Sequence, residues 1–242
     1  MGLDPATAAY QQHGYNDKPV ETRLGPHRYL IPANYFYDQI GPDFQGGVAL
    51  SVQWPDLQPL PPATNFHNDM ETFYKAIRIV VDYIDRVPID TLLERMTRAG
   101  GASDARDDPN ENLHLRIEGE PIHGLTPYYA DLGKIESHFH KTGAYTNRER
   151  LLAWAKDWYV ARDTHGKLTT LIKCDSRELP DGLTIQGDGV VDGETNNASC
   201  EHSMVIAGDN ISVSIGYNRV FLKDWKRIED RVRALFAQYR AR

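Results

Sequence analysis

The sequence predicts an α+β fold, with a mostly antiparallel sheet, strand–helix units and an amphipathic C-terminal helix. Apolar residues alternate with polar ones in several short runs, which is the pattern of strands that bury one face. Two of these runs, Trp158–Arg162 and Lys167–Cys174, flank the turn Asp163–Gly166 and predict an antiparallel hairpin. From Leu222 to Tyr239, apolar residues recur at helical spacing and predict the final helix.

Two strand–helix units have similar sequences. Ala76–Tyr83 alternates with β-branched residues and predicts a strand, and Pro88 then suits the first turn of a helix through Met96. Near the end of the chain, the alternating run Ile211–Tyr217 precedes the C-terminal helix in the same way. The similarity predicts two pseudo-repeated β–α halves, residues 25–98 and 157–240.

The remaining segments carry weaker patterns. The strings His27–Phe36, Val48–Trp54 and Leu113–Ile117 indicate strands, and Asn147–Lys156 indicates a short helix. Two segments are polar and acidic, and they are therefore expected to be surface loops. Loops of this kind often carry recognition residues. These loops are residues 101–112 and Gly182–Glu194.

Composition predicts one globular unit at residues 23–242, preceded by a mobile leader at residues 1–22. The chain has 242 residues, 40% of them hydrophobic, which is enough for a substantial core. Its formal net charge of −7 disfavours nucleic acid or an anionic membrane as the partner. No apolar run is long enough to span a bilayer, so any membrane attachment would need an anchor outside the globular unit.

The two cysteines, Cys174 and Cys200, leave two interpretations open. They are either a disulfide, which would indicate an oxidising compartment such as the periplasm, or two buried free thiols. Both adjoin polar loops rather than lying inside apolar runs, which favours the disulfide.

No motif predicts catalysis. His138 and His140 are spaced so that, on a strand, both would face one metal ion, but no third ligand is identifiable. His202 and Ser203 lie near Asp209, yet no nucleophile-elbow motif accompanies them and neighbouring strand residues face opposite ways. We therefore expect neither an enzyme nor a resident metal.

The glycine-rich acidic stretch around Asp188 and Asp192 does not match a known ion or phosphate loop. It lacks the spacing of a calcium-binding EF-hand, of a dinucleotide-binding loop and of a phosphate-binding P-loop. It is expected to be a cluster of turns, and no cofactor is predicted.

Several strings resemble a family of small exported proteobacterial proteins, many of them lipoproteins, similar to the immunity proteins of type VI secretion lipase effectors. The strings are His27–Phe36 (HRYLIPANYF), Trp54–Leu57 (WPDL), Gly166–Cys174 (GKLTTLIKC), Ser199–His202 (SCEH) and Asp224–Trp225 (DW). The resemblance spans residues 23 to 240 and carries no catalytic residues.

This resemblance implies a periplasmic protein that binds and neutralises a toxin, here a lipase effector, without being an enzyme. It also implies a disulfide between Cys174 and Cys200. Family members carry a lipoprotein signal with a lipid-attachment cysteine, which this chain lacks as given, so membrane anchoring through a removed signal stays an open expectation.

Acidic loop residues are the candidate contacts with such a toxin, because an acidic surface attracts a basic partner. The candidates are Asp104, Asp107, Asp108 and Glu111 in the first loop, and Asp188, Asp192 and Glu194 in the second. Two alternatives remain: an exported hydrolase or metal-binding protein that uses His138 and His140, or an accessory component of an envelope secretion complex.

Overall fold

A computed structural model describes residues 16–37, 44–62, 64, 69–100, 107–143, 147–193 and 196–241 of the chain. Within these residues the fold contains one eight-stranded sheet, one three-stranded sheet and one two-stranded hairpin, with five α-helices. The predicted α+β class is confirmed.

The elements are numbered in chain order. The strands are β1 (Pro19–Leu24), β2 (His27–Pro32), β3 (Phe44–Gln45), β4 (Gly47–Gln53), β5 (Ala76–Tyr83), β6 (Ile117–Glu118), β7 (Thr126–Tyr129), β8 (Lys156–Arg162), β9 (Leu168–Asp175), β10 (Leu183–Gln186), β11 (Gly189–Asp192), β12 (Ser199–Ile206) and β13 (Ile211–Asn218). The helices are α1 (Met70–Lys75), α2 (Leu92–Met96), α3 (Leu132–Thr142), α4 (Arg148–Trp154) and α5 (Trp225–Tyr239).

The eight-stranded sheet has the order β4-β5-β13-β12-β9-β8-β7-β6. Every neighbouring pair in it is antiparallel. The strand β5 fits its central place because Ile77, Ile79 and Val81 all face one side, where they are buried. The opposite face of the same strand carries Arg78 and Asp82, so the period-two pattern assigns one face to the core.

The main core lies between this buried face and two covering elements, α5 and the β1–β2 hairpin. The helix buries Ile228, Val232 and Phe236 against the sheet. Phe236 also meets the ring of Tyr29 from β2 edge to face, with the ring centroids 5.4 Å apart. The predicted amphipathic helix therefore forms, although residues Arg219–Asp224 before it make a 3-10 segment.

A second, smaller core covers part of the other face of the sheet. Helix α2 and the residues after it pack on β8 and β9. The buried members of this core are Leu93, Leu113, Trp158, Val160, Leu168 and Leu171. The neighbouring strands leave this face more open, and Val80 on β5 is 46% exposed.

Helices α3 and α4 form a small helical pair with its own apolar cluster. Ile135 packs with Leu151 and Ala155, and each helix begins at a side-chain cap. Asp131 accepts a hydrogen bond from the backbone of Lys134, and Asn147 accepts one from Arg150. These caps satisfy backbone N–H groups that have no partner within the helix.

Three sequence predictions are corrected. The predicted strand Leu113–Ile117 is a 3-10 turn at Leu113–Leu115, followed by the two-residue strand β6, because Arg116 turns inward between them. The second acidic loop is the hairpin β10–β11, whose Leu183 and Val190 enter the main core. The boundary predicted between residues 22 and 23 falls inside β1, where Val20, Thr22 and Leu24 bury one face of the strand.

The strand predicted at His27–Phe36 ends at Pro32 and continues as a 3-10 segment at Ala33–Tyr35, whereas the following predictions hold. The hairpin predicted at residues 158–174 is β8–β9, and the strand predicted at Ala76–Tyr83 is β5 with the same bounds. The helix predicted within Asn147–Lys156 is α4, and Lys156 already belongs to β8. Among the described residues, no helix is long and apolar enough to cross a membrane.

Candidate functional site

The disulfide implied by the sequence resemblance is present. Cys174 and Cys200 occupy directly opposed positions on the paired strands β9 and β12, and their sulfurs are bonded. Both side chains are buried in the main core, where the bridge crosslinks the centre of the sheet.

The first acidic segment is only partly available to a partner. Asp104 lies outside the described residues, whereas Asp107 and Glu111 are exposed. The carboxylate of Asp108 accepts a hydrogen bond from the backbone N–H of Asn110 at 2.8 Å and lies 4.0 Å from Nε2 of His138. Asp108 therefore shapes the loop, and Asp107 and Glu111 are its outward-facing carboxylates.

A stack of two cations and one indole lies next to this segment. The guanidinium of Arg116 lies 4.1 Å from the ring centroid of Trp158, and the ammonium of Lys173 lies 4.0 Å from it. Burial lowers the pKa of Arg116 to about 10. The carboxylates of Asp157, Glu111 and Asp108 have the opposite, smaller effect and raise this pKa. Burial also lowers the pKa of Lys173, with Glu111 again opposing. The acidic segment thus compensates part of the charge of these desolvated cations.

The second acidic segment is the tip of the hairpin β10–β11. Asp188 is exposed at its turn, where Gly187 has a φ of 59°, a conformation that side chains other than glycine disfavour. Asp192 accepts a hydrogen bond of 2.6 Å from the hydroxyl of Tyr74 on α1, so it anchors the hairpin. Glu194 lies outside the described residues.

Both acidic segments lie at one end of the eight-stranded sheet. Arg116 donates to the backbone carbonyls of Asn110 and of Lys156, the first residue of β8. Lys156 in turn pairs with Asp175, the last residue of β9. Tyr74, just before the first residue of β5 at the same end, holds Asp192 of the hairpin. Asp107, Glu111 and the hairpin that carries Asp188 therefore adjoin this end of the sheet, hereafter the acidic end.

Arg219 fixes the chain between β9 and the hairpin. Its guanidinium forms an ion pair of 2.6 Å with Asp181 and donates to the carbonyls of Asp175, Ser176 and Leu179. One partly buried side chain thereby holds four points of the segment that leads to Asp188. A recognition surface on a scaffold held in this way loses little entropy on binding.

A surface cleft of about 710 Å³ lies on the α2 side of the sheet. It is bounded by α2 and the residues that follow it, by the segment around Arg116, and by β7 and β8. Its lining residues are Glu94, Thr97, Arg98, Ala99, Asn112, Leu113, His114, Arg116, Glu118, Tyr128 and Arg162. None of these residues was a candidate from the sequence, because the lining comes from four separate segments.

The histidine pair does not have the geometry that a shared metal requires. His138 and His140 lie on helix α3 rather than on a strand, and residues two apart on a helix point roughly 200° apart. The condition under which both side chains would face one metal ion, a strand, is therefore not met. Within the described ranges, no three His, Cys, Asp or Glu side chains are grouped closely enough to hold a metal ion.

His202 belongs to a buried hydrogen-bond network and not to a catalytic triad. Its Nε2 lies 3.4 Å from Oε2 of Glu229 on α5, and its Nδ1 lies 3.4 Å from the hydroxyl of Tyr217. Thr170 donates a hydrogen bond of 2.7 Å to Glu229, and Arg233 donates to the other carboxylate oxygen. This network connects α5 to the strands β9, β12 and β13.

The charge states in this network follow from burial and hydrogen bonding. Burial lowers the pKa of His202, so the imidazole is neutral inside the protein at pH 7. Burial alone would raise the pKa of Glu229, but hydrogen bonds from His202, Arg233 and Thr170 outweigh it and lower that pKa to about 2. Sequence reasoning did not find Glu229, because two of its partners, Thr170 and His202, come from distant strands.

Comparison with known proteins identifies one relative over nearly the whole chain. No protein-family model matches, and no curated protein matches. Among solved structures, Smlt3025, an immunity protein of the Stenotrophomonas maltophilia type IV secretion system, is 37% identical to this chain. The alignment covers 94% of this chain and 95% of Smlt3025, with a TM-score of 0.82.

A second solved structure is more distant. The iron-regulated outer membrane lipoprotein FrpD of Neisseria meningitidis aligns over 94% of both chains with 10% identity and a TM-score of 0.49, too low to support any conclusion. For Smlt3025, by contrast, the sequence identity, the coverage of both chains and the similarity of the folds are all high enough to show a common family. This chain therefore belongs to the family of secretion-system immunity proteins represented by Smlt3025.

Proposed function

We propose that this protein binds and neutralises a toxin that a bacterial secretion system delivers into the periplasm. The observation that carries the proposal is the 37% identity to the immunity protein Smlt3025 over 94% of the chain. The buried disulfide supports the periplasm as the site of action, because disulfides form and persist in oxidising compartments.

The secretion system and the toxin class rest on different observations. The sequence resemblance named a lipase effector of a type VI system, whereas Smlt3025 is an immunity protein of a type IV system. At 37% identity the comparison favours type IV as the route for the toxin of this protein as well. The lipase class rests on the sequence resemblance and is the first class to test.

Neutralisation can be tested by co-expression with the toxin encoded beside the gene of this protein. A bacterial host that exports the toxin to its periplasm is expected to stop growing, and periplasmic co-expression of this protein is expected to restore growth. A version kept in the cytoplasm is the control and should give no protection. Growth arrest that persists with the periplasmic protein would contradict the proposed function.

The acidic end is proposed to attract the toxin electrostatically. Replacing Asp107 with lysine is expected to slow association about three- to tenfold at low salt and to leave dissociation nearly unchanged, since exposed charges act mainly on encounter. Stopped-flow binding measures both rates, and the difference should largely disappear at about 0.5 M salt.

The matched control for Asp107→Lys is Asp85→Lys. Asp85 is exposed in the turn after β5, at the opposite end of the sheet, and its replacement changes the net charge equally. Equal slowing by both variants would mean that net charge alone matters, and the acidic end would lose its assigned role.

A further inference from the structure

The cleft beside α2 is locally cationic in a protein whose net charge is −7. Three arginines line it, Arg98, Arg116 and Arg162, against the two carboxylates of Glu94 and Glu118. Arg162 is already paired with Glu94 at 2.7 Å. Burial raises the pKa of Tyr128, and the carboxylate of Glu118, which interacts with its hydroxyl, raises it further.

Two further side chains in the lining can donate to a bound group. Arg98 and His114 are exposed, and within the part of the chain that the structure describes neither side chain has a hydrogen-bond or ion-pair partner. The unpaired charge of the cleft is therefore positive. A guanidinium in this state offers a fork of N–H donors that matches a carboxylate.

The buried wall of the cleft contains an incompletely bonded donor. Arg116 is only 8% exposed, and its Nε has no hydrogen-bond partner among the described residues. Its terminal nitrogens donate to backbone carbonyls, and its guanidinium plane stacks on Trp158. The guanidinium is thus fixed in place, with one N–H donor free and with no ion pair among the described residues, although Asp157, Glu111 and Asp108 are near enough to offset part of its charge.

We propose that the cleft receives a carboxylate-bearing segment of the toxin, with Arg98 as its direct partner and Arg116 as the fixed cation behind it. The inference rests on the proposed function, because it names where the same partner is anchored. Tight protein interfaces concentrate their affinity in a few anchors that fill pockets, and arginine is enriched among such residues. A volume of about 710 Å³ accommodates several side chains of an inserted loop.

The first test compares Arg98→Glu with Arg86→Glu in calorimetric titrations with the toxin. Arg86 is exposed in the turn after β5, and both replacements change the net charge equally. Arg98→Glu is expected to weaken binding ten- to hundredfold, whereas Arg86→Glu should stay within about threefold. Equal binding by wild type and Arg98→Glu would overturn the cleft assignment and leave the proposed function intact.

A second probe does not depend on the toxin. Acetylated hexaglutamate is expected to shift the backbone amide NMR signals of residues that line the cleft in the wild-type protein. The shifts should be lost in Arg98→Glu, and hexalysine should produce none at these positions. Absence of shifts with hexaglutamate, or equal shifts in Arg98→Glu, would overturn the inference, whereas failure of the wild-type protein to bind the toxin would overturn the proposed function.

Discussion

Replacing Glu229 with alanine is expected to lower the free energy of unfolding by about 3 to 5 kcal/mol at pH 7. The carboxylate is buried and accepts hydrogen bonds from Thr170 and Arg233, with His202 within reach. Its removal leaves the buried Thr170 and His202 without this acceptor and opens a small cavity beneath α5. The unsatisfied donors and the cavity both lower the free energy of unfolding.

Urea denaturation of Glu229→Ala beside Asp230→Ala measures this effect. Asp230 is the next residue on the same helix, its side chain is 58% exposed, and it pairs with Lys226 at the surface. The control is expected to change stability by less than about 1 kcal/mol. Similar losses in the two variants would show that the helix, and not the buried network, is responsible.

The same network predicts a loss of stability in acid. The pKa of Glu229 is about 2 in the folded protein, below its ordinary value of 4.5, so its contribution is complete above pH 4.5 and is lost as the pH falls toward 2. His202 acts in the same direction from a higher pH, because burial lowers its pKa below 6.5 and the unfolded chain binds the proton first. Glu229→Gln should therefore show a flatter decline between pH 5 and 3 than wild type.

Replacing Cys174 and Cys200 together by alanine is expected to lower the free energy of unfolding by roughly 3 kcal/mol. The bridge closes a loop between positions 26 apart, and its removal allows the unfolded chain more conformations. For a chain of this length, the loss corresponds to a decrease in Tm of roughly 6 to 12 °C. Alanine is a better replacement than serine, because both sites are buried among apolar side chains, where a serine hydroxyl would be costly to bury.

Thermal unfolding of the oxidised wild type, the reduced wild type and the double variant tests this prediction. Reduction and double replacement should lower the Tm by similar amounts, since each removes the same crosslink. A mass measured without reductant that corresponds to two free thiols would contradict the bridge itself.

Local sequence patterns were sufficient to predict those strands in which the alternation of apolar residues matches the alternation of burial. Ile77, Ile79 and Val81 alternate on β5 and are all buried, so the prediction of this strand needed no other part of the chain. In Leu113–Ile117 the same alternation was misleading, because Ile117 is 49% exposed and Arg116 is buried against Trp158. An arginine that turns inward onto a tryptophan from another segment leaves no local signal.

The candidate site could be predicted only in part for the same reason. The acidic loops were recognisable by composition, and the exposed carboxylates Asp107, Glu111 and Asp188 keep their candidate role. Asp108 and Asp192 look equivalent to them in sequence, yet they make hydrogen bonds within the fold. The cleft could not be predicted, since its lining is assembled from segments that are far apart along the chain.

The pairing of β5 with β13 places an early and a late part of the chain side by side within the main sheet. Until β13 is available, Ile79 and Val81 have only β4 as a strand neighbour and lack both β13 and the helix α5 that follows it. Contacts between such distant segments carry a large loop-closure cost and slow folding. The sheet can therefore be completed only after β13, near the end of the chain, has been synthesised.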